Sequence, residues 1–594
     1  MMNVERPRAI VFCLLRGAPV RATLRARFGR PAASALAVFA CAGALAASLL
    51  APPPLAADET TDKVDKVFAE WDRTTTPGAA LAVVRDGRIV YERGYGMAKL
   101  EDGIVMTPDR IFDIGSCSKQ FTATCLVMLV RDGKVSLDDN VRKYIPELPD
   151  YGTPVTVRHL LHHTSGLRDY NALLELAGFR GDSDCPTVAE ALEVICRQKK
   201  LNYSPGAEYS YTNTGYFLIS QIVERVSGKS LNAFAQERIF KPLGMTHTLY
   251  QDDHTQVIPK RATGYDPNEA ANAYKIDMSN WDETGDGNVY TSVEDLYLWD
   301  QAFYTNALGK DVMDMLQTKG TLANGKPIDY AFGLVIHDYK GLKVVEHGGA
   351  WAGFRAAIVR FPEERFSVIC LSNLGTMDPS GLALKVADIY LAGKLREPEK
   401  EAAKPTGAVA VIEKDLAPLV GNYQEPRFGQ WFEIALKDGK LTAGRGSRTF
   451  TLVPVAPMAF ELRVPSTTVR LEFAAPAAGK PGTLRLVIPG QEEAETYVKA
   501  ATLSPLAAAR RAEYAGTYVS RELLDARYEI AVEKDGLILR MRTVPRAPLK
   551  AMAPDKFQDS EFGATIEFVR SKSGTVTGFK LGVGRAAGIE FVKK

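Results

Sequence analysis

The chain has 594 residues, of which 46% are hydrophobic and 24% charged, a composition that excludes a disordered, collagen-like or disulfide-framework protein. Residues 1–57 contain seven arginines and one glutamate, so the rest of the chain carries 66 basic and 70 acidic side chains. A weakly acidic protein without a basic stripe gives no electrostatic reason to expect nucleic acid as a partner.

Residues 1–57 have the pattern of a secretory signal peptide. Basic residues between Arg6 and Arg30 precede an apolar stretch, residues 32–50, and small residues follow before Asp58. We therefore expect cleavage before Asp58 and a periplasmic or secreted location. Cys41 matches a lipobox poorly. After residue 58 the sequence contains no run of about 18 apolar residues that predicts a membrane span.

Residues 58–395 alternate between strand and helix signals. Asp86-Gly87 predicts a hairpin of strands 79–84 and 88–93, and later strands are predicted at 343–346, 354–361 and 366–372. Between them the predicted helices are 121–131, 216–226 and 293–303, the last with Ser292 and Asp295 as a capping box. Helices inserted between the two ends of an antiparallel sheet predict an α+β domain.

The C-terminal part is predicted to be a duplicated β structure. Residues 396–414 have the charge, Pro and Gly content of a linker. After them, the sequences LVGNY (419–423), KDG (437–439) and LEF (471–473) recur as YAGTY, KDG and IEF, 95 to 97 residues later. We expect residues 415–505 and 506–594 to form two small, closed, lipocalin-like antiparallel barrels.

Ser116 and Lys119 lie at the start of the most apolar predicted helix. If Ser116 is in the first turn, Lys119 lies on the same face about 5–6 Å away. Its amine can then accept the hydroxyl proton, and the helix N-terminus favours developing negative charge. The spacing predicts a nucleophile and its base, although alone it also fits a helix cap followed by a solvated lysine.

Tyr211 and Asn213 form a second candidate group. In extended backbone, residues two apart lie on the same side. A tyrosine near a lysine ammonium loses its proton more readily, so we expect Tyr211 to exchange protons with Ser116 and the leaving group. Asn213 is expected to hold a substrate carbonyl or the Lys119 ammonium. The alternative is a core tyrosine and a turn asparagine.

The third group is a predicted strand that runs into a glycine-rich bend, with His347, Gly349 and Ala350. Glycines permit close approach of the backbone to a ligand. The N–H groups of Ala350 and Ser116 are therefore predicted to form an oxyanion hole, whose donors are typically worth about 2.7–4 kcal/mol each. The alternative is a hairpin with a surface histidine.

These three groups resemble the S-x-x-K, Y-x-N and K/H-x-G motifs of the serine β-lactamase and penicillin-binding protein superfamily, in the same order. The resemblance covers about residues 60–395 and implies a β-lactamase/DD-peptidase-like catalytic domain. The architecture is most similar to bacterial D-aminopeptidases, in which two eight-stranded barrels follow that domain and one extends a loop over the active site. Segments 165–170, 347–350 and 582–590 are similar to those enzymes, but segment 557–565, where the covering loop would lie, is shorter.

His347 bears on the substrate class. β-Lactamases and carboxypeptidases usually carry lysine there, whereas a histidine of ordinary pKa, about 6.5, is mostly neutral at pH 7 and attracts a carboxylate weakly. The pattern favours esters, amides or peptides attacked from the amino end, with Arg355 as an alternative source of positive charge. A free substrate amine needs a carboxylate partner. Asp286 is our candidate for it, and an ordinary turn aspartate is the alternative.

Three functions follow from the sequence. They are an aminopeptidase or amidase that releases N-terminal D-amino acids, a carboxylesterase, and a peptidoglycan- or peptide-binding protein without turnover. The expected partners are small peptides, amides or esters, and a homodimer is left open. No metal or organic cofactor is implied, because His159, His162 and His163 lack metal-ligand spacing and no phosphate-binding loop is present.

Overall fold

The structure is a computed structural model that describes residues 59–181, 183–396, 413–426, 429–445, 448–464, 467–476, 481–487, 494–501, 508–534 and 536–594. The predicted signal peptide and most of the predicted linker lie outside the described residues. Within the described ranges, every helix is too short or too polar to cross a membrane.

The first part of the chain contains the following strands: β1 (Ala79–Arg85), β2 (Arg88–Tyr95), β3 (Met97–Lys99), β4 (Ile104–Val105), β5 (Phe112–Asp113), β6 (Leu249–Tyr250), β7 (Tyr265–Asn268), β8 (Ala273–Ile276), β9 (Val289–Thr291), β10 (Val335–Tyr339), β11 (Leu342–Trp351), β12 (Phe354–Phe361) and β13 (Phe366–Ser372). The α-helices there are α1 (Glu59–Phe68), α2 (Lys119–Arg131), α3 (Val157–Leu161), α4 (Tyr170–Ala177), α5 (Val188–Cys196), α6 (Asn213–Ser227), α7 (Leu231–Ala235), α8 (Lys241–Leu243), α9 (Val293–Thr305), α10 (Lys310–Leu316) and α11 (Pro379–Tyr390). A π-helical turn, Gln236–Phe240, separates α7 from α8.

The main sheet is antiparallel and has the order β10-β11-β12-β13-β1-β2, so both ends of this part of the chain contribute to it, as predicted. Strands β13 and β1 are buried along almost their whole length. Apolar side chains cover both faces, because α1 and α11 pack on one side and the larger helical layer, including α2 and α6, packs on the other. A sheet covered on both faces holds the residues at its edge rigidly.

Strand β11 is longer than predicted. It was expected over 343–346, with a glycine-rich bend after it, but it continues through Trp351. The glycines remain in the ladder, since His347 pairs with Ile358 and Ala350 with Arg355. The reversal occurs at Ala352 and Gly353 instead, where β11 turns into β12.

The predicted helices form with small shifts at their ends. Helix α6 begins at Asn213 rather than at residue 216. The capping box at α9 is only half formed: the Ser292 hydroxyl accepts a hydrogen bond from the N–H of Asp295. The Asp295 carboxylate turns away and accepts from His247 N, at 2.8 Å, and Thr248 Oγ1, at 2.7 Å. The Asp295 carboxylate therefore joins α9 to the loop that precedes β6 instead of capping its own helix.

The rest of the chain forms two β structures. The first contains β14 (Gly421–Gln424), β15 (Trp431–Lys437), β16 (Lys440–Arg445), β17 (Arg448–Thr451), β18 (Val453–Ala456), β19 (Ala459–Val464), β20 (Thr467–Ala474), β21 (Thr483–Val487) and β22 (Glu495–Lys499), after the short helix α12 (Glu413–Leu416). The second contains β23 (Gly516–Ser520), β24 (Ala526–Glu533), β25 (Gly536–Arg540), β26 (Ala547–Ala553), β27 (Lys556–Asp559), β28 (Thr565–Arg570), β29 (Val576–Val583) and β30 (Ala586–Lys593), after α13 (Ala508–Tyr514).

The second structure is a closed eight-stranded barrel, as predicted, whereas the first is a nine-stranded sheet that is nearly closed. Where the second barrel has the single strand β26, the first has β17 and β18, separated by the buried Leu452. Strand β17 pairs only with β16, and β18 only with β19, among the described residues. The predicted barrel is therefore present in the first copy but is only nearly closed among the described residues, because β17 and β18 are separate strands.

Matched positions of the two barrels make matching contacts. Tyr423 Oη donates to Leu419 O at 2.8 Å, and Tyr518 Oη donates to Tyr514 O at 2.6 Å. Gly421 and Gly516 have φ of +148° and +149°, and a Cβ atom on either would collide with the side chain of Lys499 or Lys593 respectively. The two copies share this local packing.

The two barrels differ in their hydrophobic cores. One continuous cluster of buried apolar side chains runs from the helical layer of the first part of the chain into the second barrel. The core of the first barrel is a separate cluster. The second barrel is therefore packed as one unit with that helical layer.

Candidate active site

Ser116 lies in a 3-10 turn, Gly115–Ser118, that leads directly into α2. Gly115 has φ of +47°, and its N–H donates to the Asp113 carboxylate at 2.8 Å, which holds the turn. Lys119 is the first residue of α2, and its Nζ donates to Ser116 Oγ at 3.0 Å. The predicted i+3 relation between the two side chains is present in the structure.

Lys119 is fully buried and makes three hydrogen bonds. Besides Ser116 Oγ, its Nζ donates to Asn213 Oδ1 at 3.0 Å and to the main-chain oxygen of Asp286 at 2.7 Å. Burial lowers the pKa of Lys119 below its ordinary value, and the charge of the Asp286 carboxylate opposes that shift. The amine thus loses a proton more easily than a surface lysine does, which suits a base.

Tyr211 faces the same two groups. The Lys119 Nζ lies 5.0 Å from the centre of the Tyr211 ring, and the ring packs on that of His163 at 4.2 Å. Burial raises the pKa of Tyr211 well above 10, and interaction with the Ser116 hydroxyl opposes that shift. Lys119 is not among the main causes of this shift, so the prediction that it eases the deprotonation of Tyr211 is not supported, and the phenol keeps its proton at neutral pH.

Asn213 takes the second of its two predicted roles, because its side-chain oxygen accepts from Lys119. Asp169, which sequence reasoning did not single out, positions it: the Asp169 carboxylate accepts from the N–H of Asn213 at 2.8 Å. The intervening Thr212 is extended, with φ of −143° and ψ of 136°. Tyr211 and Asn213 therefore flank one extended residue at the start of α6.

His347 is buried with both ring nitrogens engaged, contrary to the alternative of a surface histidine. Its Nδ1 lies 2.6 Å from Gly348 O, and its Nε2 lies 2.9 Å from the hydroxyl of Tyr330. A carbonyl only accepts, so Nδ1 carries the proton and Nε2 accepts from Tyr330. Burial lowers the pKa of His347 to about 4. His347 is neutral at pH 7, as predicted, and orients the strand next to Ser116.

Strand β11 lies against the turn that carries Ser116. The Cys117 Sγ donates to His347 O at 3.1 Å. A Cβ atom on Gly349 would lie 1.9 Å from Ile114 O, and one on Gly115 would lie 2.7 Å from Ala350 N, so both positions require glycine. The structure thus brings Ala350 next to Ser116, at one pocket. The oxyanion hole itself stays a prediction.

The pocket over Ser116 combines aromatic walls with acidic groups. Trp281 and Trp351 pack edge to face, 5.3 Å apart, on one side. Asp286 lines the pocket, and its Oδ1 accepts from the Tyr170 hydroxyl at 3.1 Å. Glu283, a second carboxyl that sequence reasoning missed, lines it too. Glu283 is 3% exposed, both of its oxygens lack a hydrogen-bond partner among the described residues, and burial raises its pKa to about 8.

Arg585 reaches this site from the turn between β29 and β30 of the second barrel. Its guanidinium donates to Tyr211 O at 3.2 Å, and a second guanidinium nitrogen lies 3.5 Å from Asp169 Oδ2. Its main-chain oxygen accepts from Asn202 Nδ2 at 2.8 Å. The positive charge of Arg585 lowers the pKa of Lys119 further.

Two further expectations concern this region. Segment 557–565, where the covering loop was predicted to be shorter, forms β27 and a short turn before β28, and Arg585 of the same barrel contacts Tyr211. Arg355 donates to the main-chain oxygens of Ala352, at 2.8 Å, and Phe354, at 2.6 Å, rather than supplying charge in the pocket.

Comparison with known proteins agrees with this geometry. Residues 64–391 match the Beta-lactamase family. The chain belongs to this family. The predicted superfamily and fold class are confirmed.

This Beta-lactamase family member is 32% identical to the D-aminopeptidase of Gluconobacter oxydans over 338 residues, which are 56% of this chain and 62% of that protein, somewhat less than two thirds of its length. It is 31% identical to penicillin-binding protein 4* of Bacillus subtilis, over 56% of this chain and 76% of that protein. Among solved structures, it resembles the octameric penicillin-binding protein homologue from Pyrococcus abyssi, with a TM-score of 0.52, 26% identity, and coverage of 74% of this chain and 99% of that chain.

Proposed function

We propose that the protein is a serine hydrolase that releases N-terminal D-amino acids from small peptides or amides through an acyl-enzyme on Ser116. The proposal that the protein is a serine hydrolase rests on the contact of 3.0 Å between Ser116 Oγ and the Nζ of the buried Lys119. A serine hydroxyl becomes nucleophilic when an adjacent base takes its proton, and desolvation prepares Lys119 for that task.

The proposed reaction has two steps. Ser116 Oγ attacks the substrate carbonyl, its proton passes to Lys119, and the N–H groups of Ser116 and Ala350 stabilise the oxyanion. The Tyr211 phenol donates a proton to the leaving amine and is reprotonated from Lys119. Tyr211 and Lys119 then activate a water molecule, which attacks the acyl-enzyme and restores the Ser116 hydroxyl.

The acidic pocket supports a substrate with a free amine. Glu283 and Asp286 line it next to Ser116, and Glu283 has both oxygens available for an ammonium group. His347 is neutral, so it supplies no charge that would favour a substrate carboxylate. The Gluconobacter relative is a D-aminopeptidase, which supports the same substrate class.

The first test compares hydrolysis of D-alanine p-nitroanilide and its L-enantiomer by the purified protein and by Ser116→Ala. We expect a strong D preference and a loss of kcat by more than about 10⁴-fold in the variant, with the fold unchanged by circular dichroism. Turnover of short esters but of neither anilide would favour a carboxylesterase. Unchanged turnover in Ser116→Ala would contradict the mechanism, and binding of peptides without turnover would favour the non-catalytic alternative.

The second test addresses amine recognition. A substrate ammonium beside Glu283 favours the ionised form of this carboxyl, whose pKa in the free protein is raised to about 8. Glu283→Gln keeps the shape of the side chain but cannot ionise, so we expect KM for D-alanine p-nitroanilide to rise about tenfold while kcat changes little. N-Acetyl-D-alanine p-nitroanilide, which lacks the ammonium, is the matched substrate. An equal effect of the substitution on both substrates would show that Glu283 does not bind the amine.

We also propose that the protein is exported, on the basis of residues 1–57. Cell fractionation with N-terminal sequencing of the mature protein tests this, and light scattering measures whether it forms the homodimer left open by the sequence.

A further inference from the structure

Three side chains outside the pocket over Ser116 place a sulfur, a nitrogen and an oxygen close together. Cys185 Sγ lies 3.7 Å from His254 Nδ1 and 3.8 Å from Asp282 Oδ2. His254 Nδ1 lies 3.1 Å from Asp282 Oδ2. Within the described ranges, this is the one group of three or more such residues whose ligand atoms all lie near enough to share a metal ion.

These separations are those of ligands around a tetrahedral zinc ion. Zinc lies about 2.3 Å from a thiolate and about 2.0–2.1 Å from imidazole or carboxylate, which places ligands about 3.6 Å apart for pairs with sulfur and about 3.3 Å apart for nitrogen and oxygen. The observed triangle follows that pattern, with its short edge between nitrogen and oxygen. Thiolate, imidazole and carboxylate together suit zinc better than calcium or magnesium, which prefer oxygen ligands only.

The surroundings orient and attract the ion. The N–H of His254 donates to Asp282 Oδ1 at 2.6 Å, and His254 Nδ1 lies 3.0 Å from Oδ1 and 3.1 Å from Oδ2, so both oxygens of the carboxylate face the imidazole. A hydrogen bond of this kind to a ligating carboxylate is a usual support of metal sites. Asp282 and Glu190 are near enough to Cys185 for their negative charge to act on its sulfur, and the same charge attracts a dication.

We propose that Cys185, His254 and Asp282 bind a zinc-class divalent ion, with water as the fourth ligand. On binding, the Cys185 Sγ–H bond breaks, its proton passes to solvent, and the thiolate bonds to the metal. The Cys185 side chain is exposed, and those of His254 and Asp282 are about one third exposed, so a water molecule has access to the fourth position.

The site would tie three distant segments to the wall of the pocket. Cys185 precedes α5, and it is separated along the chain by 69 residues from His254 and by 97 from Asp282. Asp282 lies between Trp281 and Glu283, which both line the pocket over Ser116. A metal at Asp282 therefore holds the acidic and aromatic wall in place. This consequence for substrate rests on the proposed function, whereas metal binding does not.

The test uses the full, tag-free protein after dialysis against a chelator. Calorimetric titration with Zn²⁺ should give one site per chain, and Co²⁺ should give a thiolate-to-metal absorption band. Cys185→Ser should abolish that band and weaken Zn²⁺ binding by more than about 100-fold, since loss of even an outer-shell partner costs 10–100-fold. Cys196→Ser, which removes a half-buried thiol at the end of α5, is the matched control and should bind as the wild type does.

Thermal unfolding gives a readout that is independent of activity. Zn²⁺ should raise Tm of the wild type and of Cys196→Ser by a few degrees, and should leave Cys185→Ser and Asp282→Asn unchanged. Absence of stoichiometric binding by the wild type at micromolar Zn²⁺, or full binding by Cys185→Ser, would overturn the proposal. If binding holds but D-alanine p-nitroanilide is not hydrolysed, the zinc site stands and the proposed function fails.

Discussion

The two C-terminal barrels have the same Tyr, Gly and Lys packing but differ in closure, in core and in what they contact. The second barrel is closed, shares a continuous core with the catalytic domain and places Arg585 against Tyr211. The first barrel is split at Leu452, has its own core and contacts the second barrel through Asn422, which donates to Met552 O at 3.5 Å. A duplicated unit can thus keep its local packing while one copy becomes part of a site.

A buried ion pair lies where the second barrel docks on the catalytic domain. Arg168 of the catalytic domain lies 2.6 Å from Glu522 of the barrel, and both side chains are 3% exposed or less. The same guanidinium nitrogen donates to Gln198 Oε1 at 2.7 Å. A substitution at this contact should destabilise the second barrel together with the catalytic domain. The first barrel should be less affected, because it has its own separate core.

The largest effect is expected from Glu522→Gln. It leaves the Arg168 charge buried without a carboxylate, and such a loss destabilises by about 3–5 kcal/mol. Calorimetry should show earlier unfolding of the catalytic domain and second barrel together, with lower activity. Asp525→Asn breaks the exposed pair with Arg197 in the same interface and should change stability by less than about 1 kcal/mol. Equal effects of the two variants would contradict the role assigned to burial.

A middle effect is expected from Arg585→Gln. The lost positive charge raises the pKa of Lys119. Since the neutral amine is the active form in the proposed mechanism, the acid limb of the pH profile of kcat/KM should move to higher pH. A move of roughly one pH unit lowers activity at pH 7 about tenfold. Arg585→Lys keeps the charge and should restore most of the profile. A lower kcat/KM with an unmoved profile would assign Arg585 a purely structural role.

The smallest effect on stability is expected from a matched pair of substitutions at equivalent positions of the two barrels. Tyr423→Phe and Tyr518→Phe each remove one buried hydrogen bond to a main-chain oxygen, worth about 1 kcal/mol. We expect similar losses of stability in urea unfolding, with Trp431 fluorescence reporting the first barrel. Only Tyr518→Phe should also lower the temperature at which activity is lost, because only its barrel shares the catalytic core. Equal inactivation by both variants would mean that the barrels are not energetically distinct.

The parts of the site that could be predicted are those encoded by short spacings. Ser116 with Lys119, and Tyr211 with Asn213, are close in sequence, so local backbone geometry was enough to place them together. Gly349 and Ala350 were predicted from glycine content, although the bend was placed too early because the glycines stay in the β11 ladder.

The remaining parts depend on contacts between distant segments. Asp169, Glu283 and Tyr330 have no local pattern that distinguishes them, because burial and partners across the fold give them their roles. Arg585 lay within segment 582–590, which resembles D-aminopeptidases, but nothing in its spacing indicated a contact with Tyr211. In the first barrel, the break at Leu452 could not be predicted, because an apolar residue in a strand pattern fits a continuous strand equally well.

The contact between Tyr211 and Arg585 joins positions 374 residues apart in the chain. The ribosome makes Ser116, Lys119 and the pocket long before it makes Arg585. In a chain that has not reached residue 585, the positive charge that lowers the pKa of Lys119 is absent. On the proposed function, the order of the segments therefore supplies the charge that prepares Lys119 as a base only after the rest of the site has been made.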